Sequence, residues 1–116
     1  MEIRNAIIER AILSNEVYGC LTSWLELDYG NSVVQSFGGF TLYVPIDNKF
    51  HKIESVAGHF IFRIMEIAGV NKWEELRGKP IRVKCTSLKV QAIGHFINDD
   101  WFDPEVDFSS LEEGGK

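Results

Sequence analysis

The side chains best suited to chemistry in this chain are three histidines, His51, His59 and His95, and two cysteines, Cys20 and Cys85. A zinc site needs such ligands at short, regular spacings, and none of the five stands at such a spacing from another. No Ser, Cys or Thr occupies a strand–turn–helix nucleophile motif. Gly38-Gly39 lacks the Lys-Ser/Thr that completes a phosphate loop. Asp103-x-Glu105-x-Asp107 opens like a calcium loop, but Phe108 stands where glycine must turn the chain, and Gly114 stands where a glutamate must close it. The residues therefore point to a binding protein without cofactor or metal, and not to an enzyme.

Binding chemistry is better represented. His59, Arg63 and Glu66 fall at i, i+4 and i+7 of an apolar helical segment, forming one polar stripe. That stripe is either the exposed edge of a core helix or a contact for a partner or an anionic ligand. Asn98-Asp-Asp-Trp-Phe-Asp-Pro104 sets two large aromatics among three acids. Asp99, Asp100, Trp101 and Asp103 are the expected partner-binding residues, since aromatic side chains dominate binding hot spots, while Phe102 is expected in the core. Arg82 and Lys84 with Arg63 are the nearby cations able to hold a phosphate. Gly38 and Gly39, between Phe37 and Phe40, mark a bulge or a close approach by a ligand.

The elements that must position these residues follow from hydrophobic periodicity. Ile3 to Leu13 is expected as a strand, with Ile3, Ile7 and Leu13 on one face, and Asn15 to Gly19 as a turn. Leu21, Leu25, Leu27 and Tyr29 alternate with polar residues as a half-buried strand. After the turn Tyr29-Gly30-Asn31-Ser32 a third strand runs from Val33 to Val44. Pro45 to Ile53 reads as a polar loop. Ser55 can cap a helix to Ala68, stopped by Gly69, with Ala57, Phe60, Ile61, Ile64, Ile67 and Ala68 on its packed face. Phe62 and Met65 widen that face. Asn71-x-x-Glu74 resembles a capping box for a short second helix through Leu76. Ile81–Cys85 and Lys89–Phe96 supply two more strands. The pattern predicts an α+β fold, an antiparallel meander packed on one principal helix plus a short second one. Residues 1–108 form the domain and 109–116 an acidic, Gly-rich flexible tail.

A length of 116 residues suits one domain with one core, and 45% hydrophobic with 25% charged residues is ordinary globular composition. No apolar run reaches the ~20 residues of a membrane span. The start lacks a signal-peptide pattern, so the expected setting is a cytoplasm with both thiols reduced. The net charge of −5 argues against non-specific nucleic-acid binding. Basic residues concentrate between Lys72 and Lys89, and acids from Asn98 onward. The lightly charged strand Val33–Val44 offers an edge, from which a homodimer is expected.

Four blocks carry a resemblance: Gly19-Cys-Leu-Thr22, Phe37-Gly-Gly-Phe40, Gly69-Val-Asn-Lys-Trp-Glu-Glu-Leu-Arg-Gly-Lys79 with Arg82-Val83, and Ala92-Ile-Gly-His-Phe-Ile97 leading into Trp101-Phe-Asp-Pro104. They resemble a family of small proteins encoded by bacteriophages and prophages, and the resemblance runs from about residue 3 to residue 106. The resemblance brings no catalytic residue. It implies a protein acting in the bacterial host cytoplasm, as an anti-CRISPR-like inhibitor of a host defence complex. The alternatives it leaves are a sponge for a nucleotide immune signal and a minor virion or assembly component.

Overall fold

The computed structural model describes residues 1–17, 19–43 and 53–114. His51 and residues 45–52 of the expected Pro45–Ile53 loop lie outside the described residues. Strands β1 (Glu2–Val17), β2 (Cys20–Gly30) and β3 (Val33–Tyr43) form one antiparallel meander. Helix α1 (Ile53–Ala68) follows, then a single 3-10 turn (Trp73–Glu75). Strands β4 (Pro80–Cys85), β5 (Val90–Gly94) and β6 (Trp101–Phe102) form a second meander, and helix α2 (Pro104–Gly114) comes last. The first strands of the two meanders pair with each other, giving one six-stranded antiparallel sheet in the order β3-β2-β1-β4-β5-β6. The fold is α+β.

The sheet is strongly curled. β3 approaches β5 although three strands separate them. Phe37 of one edge strand meets Phe102 of the other edge-on, with ring centroids 6.2 Å apart. A polar relay fastens the same closure: Tyr29 Oη donates to Gln35 Oε1 at 2.6 Å, and Gln35 Nε2 donates to the Thr86 carbonyl at 3.0 Å. The concave side holds Ile8, Leu25, Leu27, Ile81, Val83 and Ile93, and α1 closes it with Phe60, Ile64 and Ile67. The convex side has no described helix packed on it.

Burial and a hydrogen bond to Cys85 push the Tyr29 hydroxyl well above the usual tyrosine range. A phenol that the fold keeps protonated contributes stability below its ordinary pKa of ~10, and that contribution is lost as pH rises beyond it. The urea midpoint of the wild type should therefore fall more steeply between pH 9 and 11 than that of Tyr29→Phe. Parallel curves for the two proteins would show that the folded state does not favour the protonated phenol.

Three local features differ from expectation, each for a stated reason. The register of β1 on β2 shifts between Ile8 and Arg10, so a bulge at Glu9 reverses which residues face inward. Ala6 and Ile8 are buried, whereas Ile3, Ile7 and Leu13 are exposed. Second, α1 starts at Ile53, so Ser55 lies in its first turn. Its end matches expectation, with Gly69 left-handed (φ 74°) and Val70 N donating to the Met65 carbonyl at 3.0 Å. Phe62, however, is 63% exposed. Third, the short helix expected after Asn71 is a single 3-10 turn. The carboxylate that accepts from the backbone N–H groups of Asn71 and Lys72 belongs to Glu75, not Glu74. In addition, β6 and α2 emerge from the stretch expected as an aromatic-acidic segment and tail, and α2 carries the backbone through residue 109 to Gly114.

Candidate functional site

Strand β6 is two residues long, and alternation sends its side chains to opposite faces. Phe102 points into the core and is fully buried. Trp101 stands on the convex face and remains partly exposed. It pairs with Gly94 of β5, where a side chain would overlap the indole: a Cβ there would lie 2.5 Å from the Trp101 ring. A glycine at 94 is thus what lets the ring lie flat against the sheet. Arg82 and Lys84, outward-facing residues of β4, place their cations 4.9 and 4.4 Å from the ring centroid. Trp101 Nε1 donates to Asp99 Oδ1 at 3.0 Å.

The loop between β5 and β6 is tied down from several sides. Arg82 donates to the carbonyls of His95 (2.9 Å) and Asn98 (2.7 Å). His95 Nδ1 accepts from the backbone N–H groups of Ile97 and Asn98, at 3.0 and 2.9 Å. On the other side of the sheet Arg63 of α1 donates to Asp100 Oδ1 (3.0 Å), to the Trp101 carbonyl (2.9 Å) and to Glu66. Burial works against the charge of this guanidinium, but the hydrogen bonds and fields of Asp100 and Glu66 outweigh it, and its pKa is raised. His59 Nε2 and Asp107 Oδ2 lie 2.8 Å apart, joining α1 to α2. Asp103 accepts from Gln91 Nε2 at 3.0 Å and from the N–H groups of Glu105 and Val106, which makes it the N-cap of α2.

The structure thus separates the residues singled out in the sequence into three groups. Asp99, Asp100 and Asp103 each have an internal partner and buttress Trp101, its loop and α2. His59 and Arg63 hold β6 and α2 from the inside. Trp101, Arg82 and Lys84 form one aromatic–cationic platform on the uncovered face.

Gly38 and Gly39 belong elsewhere. They have φ values of 113° and 78°, in the left-handed range, at a register shift between β2 and β3. A Cβ on Gly38 would lie 2.4 Å from the Ser23 carbonyl oxygen, and one on Gly39 would lie 2.2 Å from the Trp24 ring. The pair is a bulge on which Trp24 lies. Phe40 faces inward, edge-on to Phe60 and Phe108 at 5.9 and 5.6 Å.

Sequence reasoning missed the apolar surroundings of the platform. Ile3 pairs with Lys84 and Ile7 with Pro80, and both are exposed on the convex face, Ile7 beside Phe96. Ile7, Pro80, Phe96, Asn5 and Asp28 line a shallow hollow of about 280 Å³ there. The available signal was the run Ile7-Ile8, in which only one residue can face the core of a sheet. Among the described residues no three His, Cys, Asp or Glu side chains gather as metal ligands, and no described helix is long and apolar enough to cross a membrane. No family model, curated protein or solved structure matches the chain.

Proposed function

We propose that this chain is a binding protein that docks on another protein through the convex sheet face centred on Trp101. The resemblance to phage-encoded proteins makes a bacterial defence complex in the host cytoplasm the partner of choice. The observation that carries the reading is the platform: a half-exposed indole fixed by Gly94, Asp99, Arg82 and Lys84, with Ile3, Ile7 and Phe96 beside it. Rigid, partly desolvated aromatics flanked by cations are the usual centre of a binding hot spot. At the ring two cations, Arg82 and Lys84, stand against one carboxylate, Asp99, so the charge beside the indole is net positive. The fitting partner surface is apolar with an acidic rim, not the basic one suggested by the local sequence.

A nucleotide immune signal is the second reading, favoured by one observation. The Trp101 ring with Arg82 and Lys84 offers base stacking and phosphate charge at one place.

The test is affinity capture from host lysate with tagged wild type and Trp101→Ala, mass spectrometry of proteins and small molecules, and titration of the purified pair. Trp101→Ala should weaken association by roughly 30-fold or more, as hot-spot removal does. Its stability should fall by only about 1 kcal/mol, since the ring is not enclosed. Recovery of a nucleotide without a protein partner would replace the inhibitor reading with the sponge.

A further inference from the structure

β1 outruns its neighbour. On one side it pairs with β2 from Ile7 to its end at Val17. On the other side its ladder with β4 ends at Ile7–Pro80, and the last bonds join Ile8 to Gly78 (2.7 Å) and Lys79 (2.9 Å). From Glu9 to Val17 no described strand occupies that side. Alternate backbone N–H and C=O groups there face an open edge, the kind of template that recruits another strand. Along its first part, Arg10–Leu13, the edge borders a groove of about 450 Å³ whose far wall is Trp73, Glu74 and Arg77.

The composition of this edge names its occupant. Glu9-Arg-Ala-Ile-Leu-Ser-Asn-Glu16 is complementary to itself when run antiparallel about Leu13. In that register Leu13 meets Leu13 of a second copy, Ile12 meets Ser14, and Arg10 meets Glu16. The oppositely charged pair occurs twice because the arrangement is two-fold symmetric. The Ser14 hydroxyl donates to Glu16 Oε1 at 3.2 Å, which places Glu16 on the same face as Ser14. Arg10 pairs across the strand with Glu26 on that face and is 62% exposed. Leu13 is 45% exposed. Length selects the same register. The free stretch is bounded by Ile8, where Gly78 and Lys79 already sit, and by the strand end at Val17, and its midpoint is Leu13. A shift toward the start of the strand would drive each copy into the other's Gly78–Lys79 corner, and a shift toward Val17 would leave part of the stretch unpaired.

We infer that two copies of this chain join through the β1 edges, antiparallel about Leu13, into one continuous twelve-stranded sheet. The edge differs from β3, where the sequence placed dimerisation, and where Gln35 reaches across to Thr86. Dimerisation by β1 leaves Trp101 free and presents two platforms to a partner.

The test is the full chain in sedimentation equilibrium at micromolar concentrations, with variants Arg10→Glu, Glu16→Arg and Leu13→Lys. The wild type should run at twice the 13.2 kDa chain mass. Each charge variant places like charges opposite one another twice, and should dissociate at concentrations about tenfold higher. An equimolar mixture of Arg10→Glu with Glu16→Arg restores both opposite pairs, and should regain the dimer as a heterodimer. Arg10 and Glu16 lie on the exposed face, so the mixing result does not depend on whether Leu13→Lys folds. A monomeric wild type, or a dimer unmoved by either charge change, would overturn the inference. So would a mixture no tighter than its components.

Discussion

Phe102→Ala is expected to cost ~3–5 kcal/mol, the range for truncating a fully buried aromatic. A domain of this size has ~5–15 kcal/mol in total, so the variant should melt far below the wild type or fail to fold at the lower end of that range. The reason is the position of the ring. Phe102 sits edge-on to Phe60 of α1 at 5.5 Å and to Phe37 of β3 at 6.2 Å, and Arg63 lies 5.7 Å from its centroid. Each aromatic pair adds ~0.5–1.5 kcal/mol beyond area burial. One side chain on a two-residue strand thus fastens the last strand to the helix and to the opposite edge of the sheet. The measurement is urea unfolding beside Trp101→Ala. The neighbouring residue, on the other face, should lose only a third as much or less. Equal losses at 101 and 102 would mean that β6 does not separate a core face from an exposed one.

That contrast also shows what was legible in the sequence. Alternation identified β2 and β4 because each carries one apolar and one polar face over its length. The 3.6-residue recurrence identified α1, and a left-handed glycine ended it where expected. β6 was invisible because two residues cannot display a period. The face of β1 was misassigned because a bulge at Glu9 shifts parity within the strand, so that Ile8 before it and Ala11 after it share one face opposite Leu27 and Leu25. At the site, aromatic character singled out Trp101, which the fold leaves partly exposed on the convex face. The partners of Asp99, Asp100 and Asp103 could not be read, since each accepts from a group whose position depends on the folded loop. Arg63 lies 37 residues before Asp100 and Gln91 lies 12 before Asp103. Local sequence makes these acids look solvated, and tertiary structure gives them partners while leaving Asp99 exposed and Asp100 46% exposed.

Arg63→Met should be the most damaging change at a charged position, at about 2–3 kcal/mol, within the range for losing several charge-assisted hydrogen bonds. The side chain is only 16% exposed and serves Glu66, Asp100 and the Trp101 carbonyl, with Asp107 at 3.8 Å. Removing it leaves three carboxylates near one another without their shared cation. Asp100 and Glu66 are each 46% exposed, so water recovers part of the loss and holds the cost below that of a fully buried pair. Arg63→Lys should lose about 1–2 kcal/mol, because one ammonium cannot reproduce a planar fork that faces acceptors in different directions. The double variant Arg63→Met/Asp100→Asn should be less destabilised than the sum of its parts by on the order of 1 kcal/mol, as for groups in one network. Additivity, or a neutral lysine, would show that the pairs are independent surface contacts. A further consequence separates this residue from an ordinary stabilising one. Arg63 grips the Trp101 backbone from the concave side, while the indole faces solvent on the convex side. If the chain docks through Trp101 as proposed, loosening that grip should weaken the docking by several-fold under conditions where the variant is fully folded, with Arg63 on the opposite side of the sheet.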